Sequence, residues 1–511
     1  MVKRRGSGNS LDEVLFSRDL TIPEQRENDL FTYEIDPGRV YSRVHISEDS
    51  SIMYDLVEPY MNEILHKIYI SLREKIVRLI SDRSGNGKKV ADTAEQINEA
   101  VVSSSLEQKG KKLVYYYLNR DFLGLDIIDG LLKDPNIEDI TCDGSHVPVF
   151  VYHTSYGFIP TNVKFRNDEE LNSFIRKTVQ RTGKNISISS PLADSILPDG
   201  SRIQASLGRY VTTNGPSFTI RKFKEVPLSP IDLIVNGTAS PDIFAYLWIL
   251  TEYGANIMIT GGTATGKTTF LNSILLFAPP EKKIVSIEDT REINLYHENW
   301  LSTVTRPGFG QSSEGRNSGE IDMFDLLVSS MRHRPDYVVI GEVRGRETFT
   351  VFQAMSVGRY SYCTFHADGV DTLIHRLESK PINIPRNLIS SLDTVVVLSM
   401  AERDGRQQRI TSTISEITGL DQGSGEIITN RLYDWEPSSN VYESSLFSYV
   451  LERIAERTGQ SLSDLENEHR LRTMLLRSMI ENGITRFDDV ASIVRKYHRD
   501  RDSVLDNYSI H

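Results

Sequence analysis

One segment in the middle of the chain carries residues whose types and spacing can bind phosphate. Residues 261–268 read Gly-Gly-Thr-Ala-Thr-Gly-Lys-Thr and fit the pattern G-x-x-x-x-G-K-[ST]. Glycines let the backbone close around an anion because they carry no Cβ. A lysine cation then reaches the β- and γ-phosphates, and a hydroxyl holds Mg²⁺. The residues predicted to contact a nucleotide here are Gly261, Gly262, Thr263, Ala264, Thr265, Gly266, Lys267, Thr268 and Thr269.

The flanks of this segment have the patterns that the motif requires. Residues 256–260 form a short apolar run typical of a buried strand, and residues 269–277 carry apolar side chains at helical spacing. A strand, a loop and a helix in that order bring the positive end of the helix to the anion. The sequence therefore predicts a nucleoside triphosphate site.

Three later segments end apolar runs with side chains that can act on a phosphate. Glu288 ends the run 284–288, Glu342 closely follows the run 337–340, and His366 follows 361–365. Strand carboxyl ends line the ligand crevice of a parallel sheet, so these side chains are predicted to face the phosphate loop. There, a carboxylate can orient water and an acid can hold Mg²⁺. Taken singly, each segment also fits a structural role, such as an acidic turn or a structural histidine.

Composition is that of a soluble globular chain with several domains. The 511 residues are 39% hydrophobic and 25% charged, and the net charge of −12 counts against a dominant nucleic-acid surface. Cys142 and Cys363 are far apart, which indicates a reducing compartment rather than a disulfide framework. No run approaches the roughly 18 apolar residues of a membrane span. The N-terminus lacks the apolar core of a secretory signal, so we expect a cytoplasmic protein.

Pattern changes along the chain predict five segments. Residues 1–30 are polar and are expected to form a flexible arm, and residues 31–223 an N-terminal domain that is helical from about 50 to 133 and then α+β. Two prolines mark 224–230 as an interdomain linker. Strands and helices alternate over 231–435, which predicts a mostly parallel sheet with helices on both faces. Residues 436–511 are expected to form a C-terminal helical extension.

The motifs in order resemble those of one family. The segments GGTATGKTT, IEDTRE, DYVVIGEVRGRE and TFHAD are similar to the Walker A loop, Asp box, Walker B segment and His box of the type II/IV secretion superfamily of ATPases. Residues 134–140 and 197–203 resemble its N-terminal domain, so the likeness covers about residues 120–400. The resemblance implies an α/β fold: a RecA-like P-loop ATPase domain with a mostly parallel sheet, preceded by an α+β domain and followed by a helical tail.

The resemblance also implies roles for single residues. Lys267 and Thr268 match the Walker A lysine and Mg²⁺ ligand. Glu288 matches the Asp-box acid assigned as general base, and Glu342 matches the Walker B glutamate, which acts on Mg²⁺ and its waters. His366 matches the histidine of the His box. These four motifs supply the implied catalytic and metal-binding side chains.

Arginines of the N-terminal domain complete the implied site. Arg202, Arg209 and Arg221 fall where the family presents arginines to a nucleotide, sometimes that of the neighbouring subunit. The alternative for each is an ordinary surface arginine without a role in nucleotide binding. The chain departs from the family at Gly358-Arg359, where Gly-His is usual. The role of sensing the γ-phosphate then falls on His366 alone. Arg359 is expected to contact a phosphate or an interface instead.

The resemblance implies a homohexamer that uses ATP and Mg²⁺ and drives a polytopic membrane platform protein with accessory motor proteins. The chain has no four-cysteine insertion, and its tail resembles that of archaellum motor ATPases, which implies archaellum assembly and rotation at the cytoplasmic membrane. Archaeal type IV pilus assembly and type II secretion are alternatives. The competing classes are a nucleic-acid motor, which the acidic charge counts against, and a non-hydrolysing scaffold, which the two acids count against.

Overall fold

The computed structural model describes residues 26, 28–83, 90–223, 226–306, 319–403, 406–445 and 447–510. The chain divides into two compact units, residues 1–223 and residues 224–511. Almost all of the expected N-terminal arm lies outside the described residues, and so do the first two residues of the expected linker. Within the described ranges, no helix combines the length and the apolar character that a membrane crossing requires.

The first unit begins with a three-stranded antiparallel sheet in the order β1-β2-β3. Its strands are β1 (Asp29–Asp36), β2 (Val40–Ile46) and β3 (Ile52–Val57). The helical prediction is wrong for Ile52, Tyr54 and Leu56, which lie on β3 with Tyr54 and Leu56 buried. Their spacing of two is typical of a strand, whereas the spacing of three and four that predicts a helix begins only with Ile64.

Helices and a second antiparallel sheet complete this unit. The helices are α1 (Glu63–Arg83), α2 (Val90–Val102), α3 (Gln108–Phe122), α4 (Asp129–Lys133) and α5 (Asp168–Arg181). The sheet has the order β6-β5-β4-β9-β8-β7. Its strands are β4 (Ile137–Cys142), β5 (Phe150–His153), β6 (Gly157–Pro160), β7 (Leu192–Ile196), β8 (Arg202–Ser206) and β9 (Ser217–Arg221). Alternate residues of β8 and β9 are buried, so one face of these strands packs into the core and the other stays exposed.

The second unit is built on a nine-stranded sheet in the order β12-β11-β13-β14-β10-β15-β16-β17-β18. The strands are β10 (Ile257–Gly261), β11 (Ile284–Glu288), β12 (Trp300–Val304), β13 (Tyr337–Ile340), β14 (Tyr360–Phe365), β15 (Thr394–Arg403), β16 (Arg406–Leu420), β17 (Ile427–Glu436) and β18 (Val441–Ser444). The pairs from β12 to β15 are parallel, and β16 to β18 continue antiparallel. The predicted α/β class with a mostly parallel sheet is confirmed.

Helices cover the parallel part of the sheet. They are α6 (Pro230–Val235), α7 (Pro241–Tyr253), α8 (Lys267–Leu275), α9 (Met323–Met331), α10 (Glu347–Ser356), α11 (Val370–Glu378) and α12 (Arg386–Ile389). Strands β10, β11 and β13 are buried at every residue, as expected where both faces of a parallel sheet are covered. Most of their residues are apolar, and Gly261 and Glu288 stand at the ends of β10 and β11.

The C-terminal helices pack on the same core as the sheet. They are α13 (Tyr449–Thr458), α14 (Leu462–Glu481), α15 (Phe487–Arg499) and α16 (Arg501–Asn507). The helical part starts at Tyr449 because Val441–Ser444 still forms the edge strand of the sheet. Helix α7 is buried all round from Ile243 to Thr251, since α14 covers the side that the sheet leaves open.

A buried arginine joins α14 to α7. The guanidinium of Arg472 lies 2.6 Å from Glu252 Oε2 and 3.0 Å from Glu468 Oε1, and its central carbon lies 4.9 Å from the ring centroid of Trp248. Arg472 is 1% exposed. Burying a single charged group costs several kcal/mol, so a buried guanidinium needs carboxylate partners such as these.

We expect Arg472→Ala to lower the free energy of unfolding by about 3–5 kcal/mol, because it leaves two carboxylates without their buried cation. Urea denaturation of the full chain measures this loss. Arg477→Ala, on the same helix, is the control: the side chain is 58% exposed and its ion pair with Asp242 spans 3.1 Å. An exposed pair contributes at most about 1 kcal/mol. Equal losses in the two variants would contradict the expected role of burial.

Candidate functional site

The phosphate loop (residues 261–268) connects β10 to α8. Strand β10 is buried to its last residue, Gly261, and α8 begins at Lys267 with Gly266 as its cap at φ +86°. The first N–H groups of a helix have no partner inside the helix and carry its positive end. The loop therefore presents donors and positive potential at the carboxyl end of β10, in the order that the sequence predicts.

Close packing explains the first glycine of the loop. A β-carbon at Gly261 would overlap the carbonyl oxygen of Leu398 on the neighbouring strand β15 and lie 2.7 Å from Thr265 Oγ1. At Gly262, by contrast, the nearest atom would be Asp368 Oδ1 at 3.5 Å, an ordinary contact distance. Only the first of the two glycines is required by the space around it.

Gly261→Ala is expected to displace the loop and weaken nucleotide binding by about 10-fold or more, since overpacking next to backbone forces the chain to shift. Gly262→Ala is the matched control, with the same added methyl group and room for it. Titration with a fluorescent ATP analogue measures both affinities. Similar affinities in the two variants would show that the Leu398 contact does not shape the loop.

The side chain of Lys267 folds back along the earlier residues of the phosphate loop. Its Nζ donates to the carbonyl oxygens of Gly261 at 3.0 Å and Gly262 at 2.6 Å. Thr265 Oγ1 donates to the second of these carbonyls at 3.0 Å and closes the turn. Lys267 and Thr268 are both half-buried. The ammonium group is thus held within the loop, where an anion gathered by the N–H groups would meet it.

Two acids stand at the ends of the neighbouring strands β11 and β13. Glu288 is the last residue of β11, and Glu342 follows Gly341 after β13. The N–H of Gly341 donates to the carbonyl of Ile287 at 3.0 Å, and a β-carbon at Gly341 would lie 3.4 Å from Glu288 Cγ. Glu342 Oε2 accepts from Arg344 at 2.5 Å. The sheet thus brings both predicted acids to the edge that carries the phosphate loop.

The Glu288 carboxyl is in an unusual environment. The residue is 1% exposed, and its Oε1 accepts the N–H groups of Glu292 and Ile293, both at 2.7 Å. Its Oε2 is buried and makes no hydrogen bond to any described residue. Burial raises the pKa of Glu288 to about 7, while the two N–H donors oppose the rise. A carboxyl with such a pKa can take up a proton near neutral pH.

His366 contacts the start of the phosphate loop. Its Nδ1 lies 3.0 Å from the carbonyl oxygen of Gly261, and its own carbonyl accepts from Arg376. Thr260 Oγ1 donates to the carbonyl of Ala367 at 2.6 Å and ties the two strand ends together. The histidine predicted from the strand pattern therefore meets the loop directly.

The described residues contain no group of three or more His, Cys, Asp or Glu side chains that could hold a metal ion. A dedicated metal centre is not needed for Mg²⁺, which is usually bound by one or two protein oxygens together with substrate phosphates and water. The hydroxyl of Thr268, in the first turn of α8, and the partly exposed carboxylate of Glu342 are oxygens of that kind. These residue types fit Mg²⁺.

The three predicted arginines belong to the first unit, and two of them are neighbours. Arg202 on β8 and Arg221 on β9 stand directly opposite each other. Arg202 makes two hydrogen bonds to Asp194, at 2.9 and 2.5 Å. Arg209 lies in the loop after β8, at the other end of this hairpin, and donates to Asp168 at 3.2 Å. The first unit therefore places two of the three arginines at paired positions of neighbouring strands and the third apart from them.

Arg359 is not a ligand of the phosphate loop. It precedes β14 and donates to the carbonyl of Pro335 at 3.1 Å, at the amino end of the sheet. His366 follows the carboxyl end of the same strand. Because six residues of strand span roughly 20 Å, the two ends are too far apart to share a phosphate. The expectation that Arg359 contacts a phosphate at this loop is therefore wrong, and the alternative of an interface contact stays a prediction.

Arg409, which the sequence patterns do not single out, also contacts the phosphate loop. Arg409 on β16 donates from Nε to the carbonyl oxygen of Ala264 at 2.9 Å. β16 pairs with β15 so that Arg409 stands opposite Met400. No motif includes this arginine, and its position depends on the register of two strands that the sequence does not specify.

Comparison with known proteins agrees with the motifs. The model of the family described as type II/IV secretion system protein matches residues 125–491. An uncharacterized protein of Methanocaldococcus jannaschii is 37% identical over 77% of this chain and 70% of its own. Type IV secretion system protein PtlH of Bordetella pertussis is 28% identical over 47% of this chain and 80% of its own. The X-ray structure of the Legionella pneumophila ATPase DotB shares 15% identity over 74% of this chain and 95% of its own, with a TM-score of 0.43.

Proposed function

The chain belongs to the type II/IV secretion system protein family, and from that premise we propose that it is an ATPase that hydrolyses ATP with Mg²⁺ at residues 261–268. The observation that carries the proposal is the carboxyl edge of the parallel sheet. A loop with an embedded lysine, a buried acid of raised pKa, a second acid and a histidine all follow adjacent strands there. This arrangement can bind a triphosphate, orient water and accept its proton.

The proposed mechanism assigns one task to each side chain. Lys267, whose Nζ lies against the carbonyls of the loop, would neutralise the β- and γ-phosphate oxygens. Glu288 orients the attacking water and takes its proton, as its raised pKa allows. His366 reports the γ-phosphate to the loop through the Gly261 carbonyl. Thr268 and Glu342 would hold Mg²⁺, which supplies charge that offsets the negative charge of the phosphates.

We propose that the protein works as a homohexamer, with residues 231–435 as the catalytic domain. Arg202, Arg209 or Arg221 of residues 31–223 would reach a nucleotide, in the same or the neighbouring subunit. A guanidinium binds phosphate oxygens with two parallel hydrogen bonds, which supports the choice of arginine for this role. The neighbouring positions of Arg202 and Arg221 favour these two as a pair.

The proposed output is work on a membrane apparatus from the cytoplasmic side. We propose archaellum assembly and rotation through a polytopic platform protein and accessory motor proteins, supported by the helical tail and by the lack of a four-cysteine insertion. Archaeal type IV pilus assembly and type II secretion are the alternatives within the family. A nucleic-acid motor is less well supported, because the net charge of −12 disfavours a dominant phosphate-backbone surface.

The test is phosphate release by the full chain with ATP and Mg²⁺, with and without single-stranded DNA at low salt. The proposal expects turnover that needs the divalent ion and does not respond to DNA. Turnover stimulated by DNA and lost at higher salt would favour the nucleic-acid motor instead. Binding of ATP without any release of phosphate would favour the scaffold.

A further inference from the structure

The phosphate loop contains a residue that is strained. Ala264 has φ +61°, in the left-handed region that residues with a β-carbon rarely adopt. Two residues later Gly266 takes a similar φ of +86° without a β-carbon. An alanine in this conformation persists only where its surroundings hold it there. The loop therefore needs a contact that keeps Ala264 in place.

Arg409 makes that contact. Its Nε donates to the carbonyl oxygen of Ala264 at 2.9 Å, and its Cδ lies 3.2 Å from where a β-carbon on Gly266 would stand. The side chain thus lies against both residues of positive φ. A hydrogen bond from a cation is stronger than one between neutral groups, so it can hold a peptide in a conformation that is unfavourable by itself.

The strand that carries Arg409 is firmly anchored. Glu416, seven residues further along β16, is fully buried and accepts from the hydroxyl of Tyr246 at 2.8 Å and from Asn430 at 2.9 Å. It also accepts the backbone N–H of Tyr449 at the start of α13, at 2.9 Å. These bonds to three other elements fix the strand, and with it the position from which the Arg409 side chain reaches the loop.

We propose that Arg409 is a positioning residue that keeps the phosphate loop in its binding conformation by holding the Ala264 carbonyl; this inference rests on the proposed nucleotide site. In a trans peptide the carbonyl and the following N–H point in opposite directions. Holding the Ala264 carbonyl towards Arg409 therefore turns the N–H of Thr265 away from it and makes that donor available to a phosphate. Arg409 acts on the backbone of the loop and not on the nucleotide.

The test pairs Arg409→Ala with a substitution that removes the strain. Arg409→Ala is expected to weaken binding of a fluorescent ATP analogue by about 10- to 100-fold, the loss typical of a hydrogen bond with a charged donor. Adding Ala264→Gly is expected to recover most of that affinity, because glycine adopts positive φ without strain. Ala264→Gly alone is expected to change the affinity by about threefold or less.

Arg431→Ala is the matched control for charge. It removes an arginine from the adjacent strand β17, where the side chain is 67% exposed and pairs with Asp434 at 3.0 Å. Its affinity should equal that of the unaltered chain. Recovery in the double variant also shows that the loss in Arg409→Ala is not a failure to fold.

Two results would overturn the inference while leaving the proposed function intact. If the unaltered chain binds the analogue and Arg409→Ala binds equally well, the contact does not position the loop. If Ala264→Gly restores nothing, Arg409 acts on the nucleotide and not through the strained peptide. Failure of the unaltered chain to bind the analogue would instead overturn the proposed function, and this inference with it.

Discussion

Lys267→Ala should lower kcat/KM for ATP by at least about 10³-fold, because one side chain supplies a cation at the β- and γ-phosphates. The Nζ of Lys267 already lies 3.0 and 2.6 Å from the carbonyls of the loop that would surround the anion. Alanine leaves no cation in the loop to meet the negative charge of the phosphates. Steady-state phosphate release measures the loss, and titration with a fluorescent ATP analogue measures the accompanying loss of affinity.

Lys282→Ala is the control for this variant. Lys282 precedes β11 at the amino edge of the sheet, is 38% exposed and lies 3.4 Å from Asp336. The Lys282→Ala variant loses the same positive charge, but at the amino edge of the sheet, far from the phosphate loop. Its turnover should match that of the unaltered chain. Turnover by Lys267→Ala at the level of Lys282→Ala would remove residues 261–268 as the site of hydrolysis.

The second large effect is expected at Glu288. Glu288→Gln should lower kcat by about 10²- to 10⁴-fold, the usual contribution of a positioned general base, and leave nucleotide affinity nearly unchanged. Glutamine keeps an oxygen that can accept the N–H groups of Glu292 and Ile293, so the loop after β11 should hold its shape. Glu281→Gln, an exposed position at the other end of β11, is the control. Equal turnover in the two variants would place the base elsewhere.

The raised pKa of Glu288 predicts how activity depends on pH. A base must be deprotonated to act, so kcat should rise with pH through an apparent pKa of about 7 and level off above it. Rates of the unaltered chain between pH 5.5 and 9, in buffers of about 0.1 M ionic strength, provide the measurement. A rate that is flat across that range would assign the proton transfer to another group.

The same pKa predicts the sign of a stability effect. The protonated form of Glu288 is favoured in the folded chain, so its contribution to stability is complete below the ordinary glutamate pKa of 4.5 and falls as pH rises to about 7. The whole fall is about 3 kcal/mol. Glu288→Gln lacks this titration and should therefore be the more stable chain at pH 8 in urea denaturation. A less stable variant would show that the carboxylate is stabilised when charged.

Much of the sheet could be predicted from local sequence. The runs that end at Glu288, before Glu342 and before His366 are mostly apolar, because parallel strands are covered on both faces. The strand Trp300–Val304 could not be predicted in this way, because an edge strand that is half-buried at every residue has no continuous apolar run. The strand Ile52–Val57 has the alternating spacing of a strand but directly precedes a long helical pattern, so the helical prediction extends too far towards the N-terminus.

The sequence alone determined the phosphate loop, since its residues contact one another within eight positions and local geometry follows from the order of glycines, lysine and threonine. It also determined which strands end in acids. Only the tertiary structure decided that burial raises the pKa of Glu288 to about 7 and that Arg409 reaches Ala264 from 145 residues away. Burial and strand register are set by packing between distant segments, so no local pattern of residues encodes them.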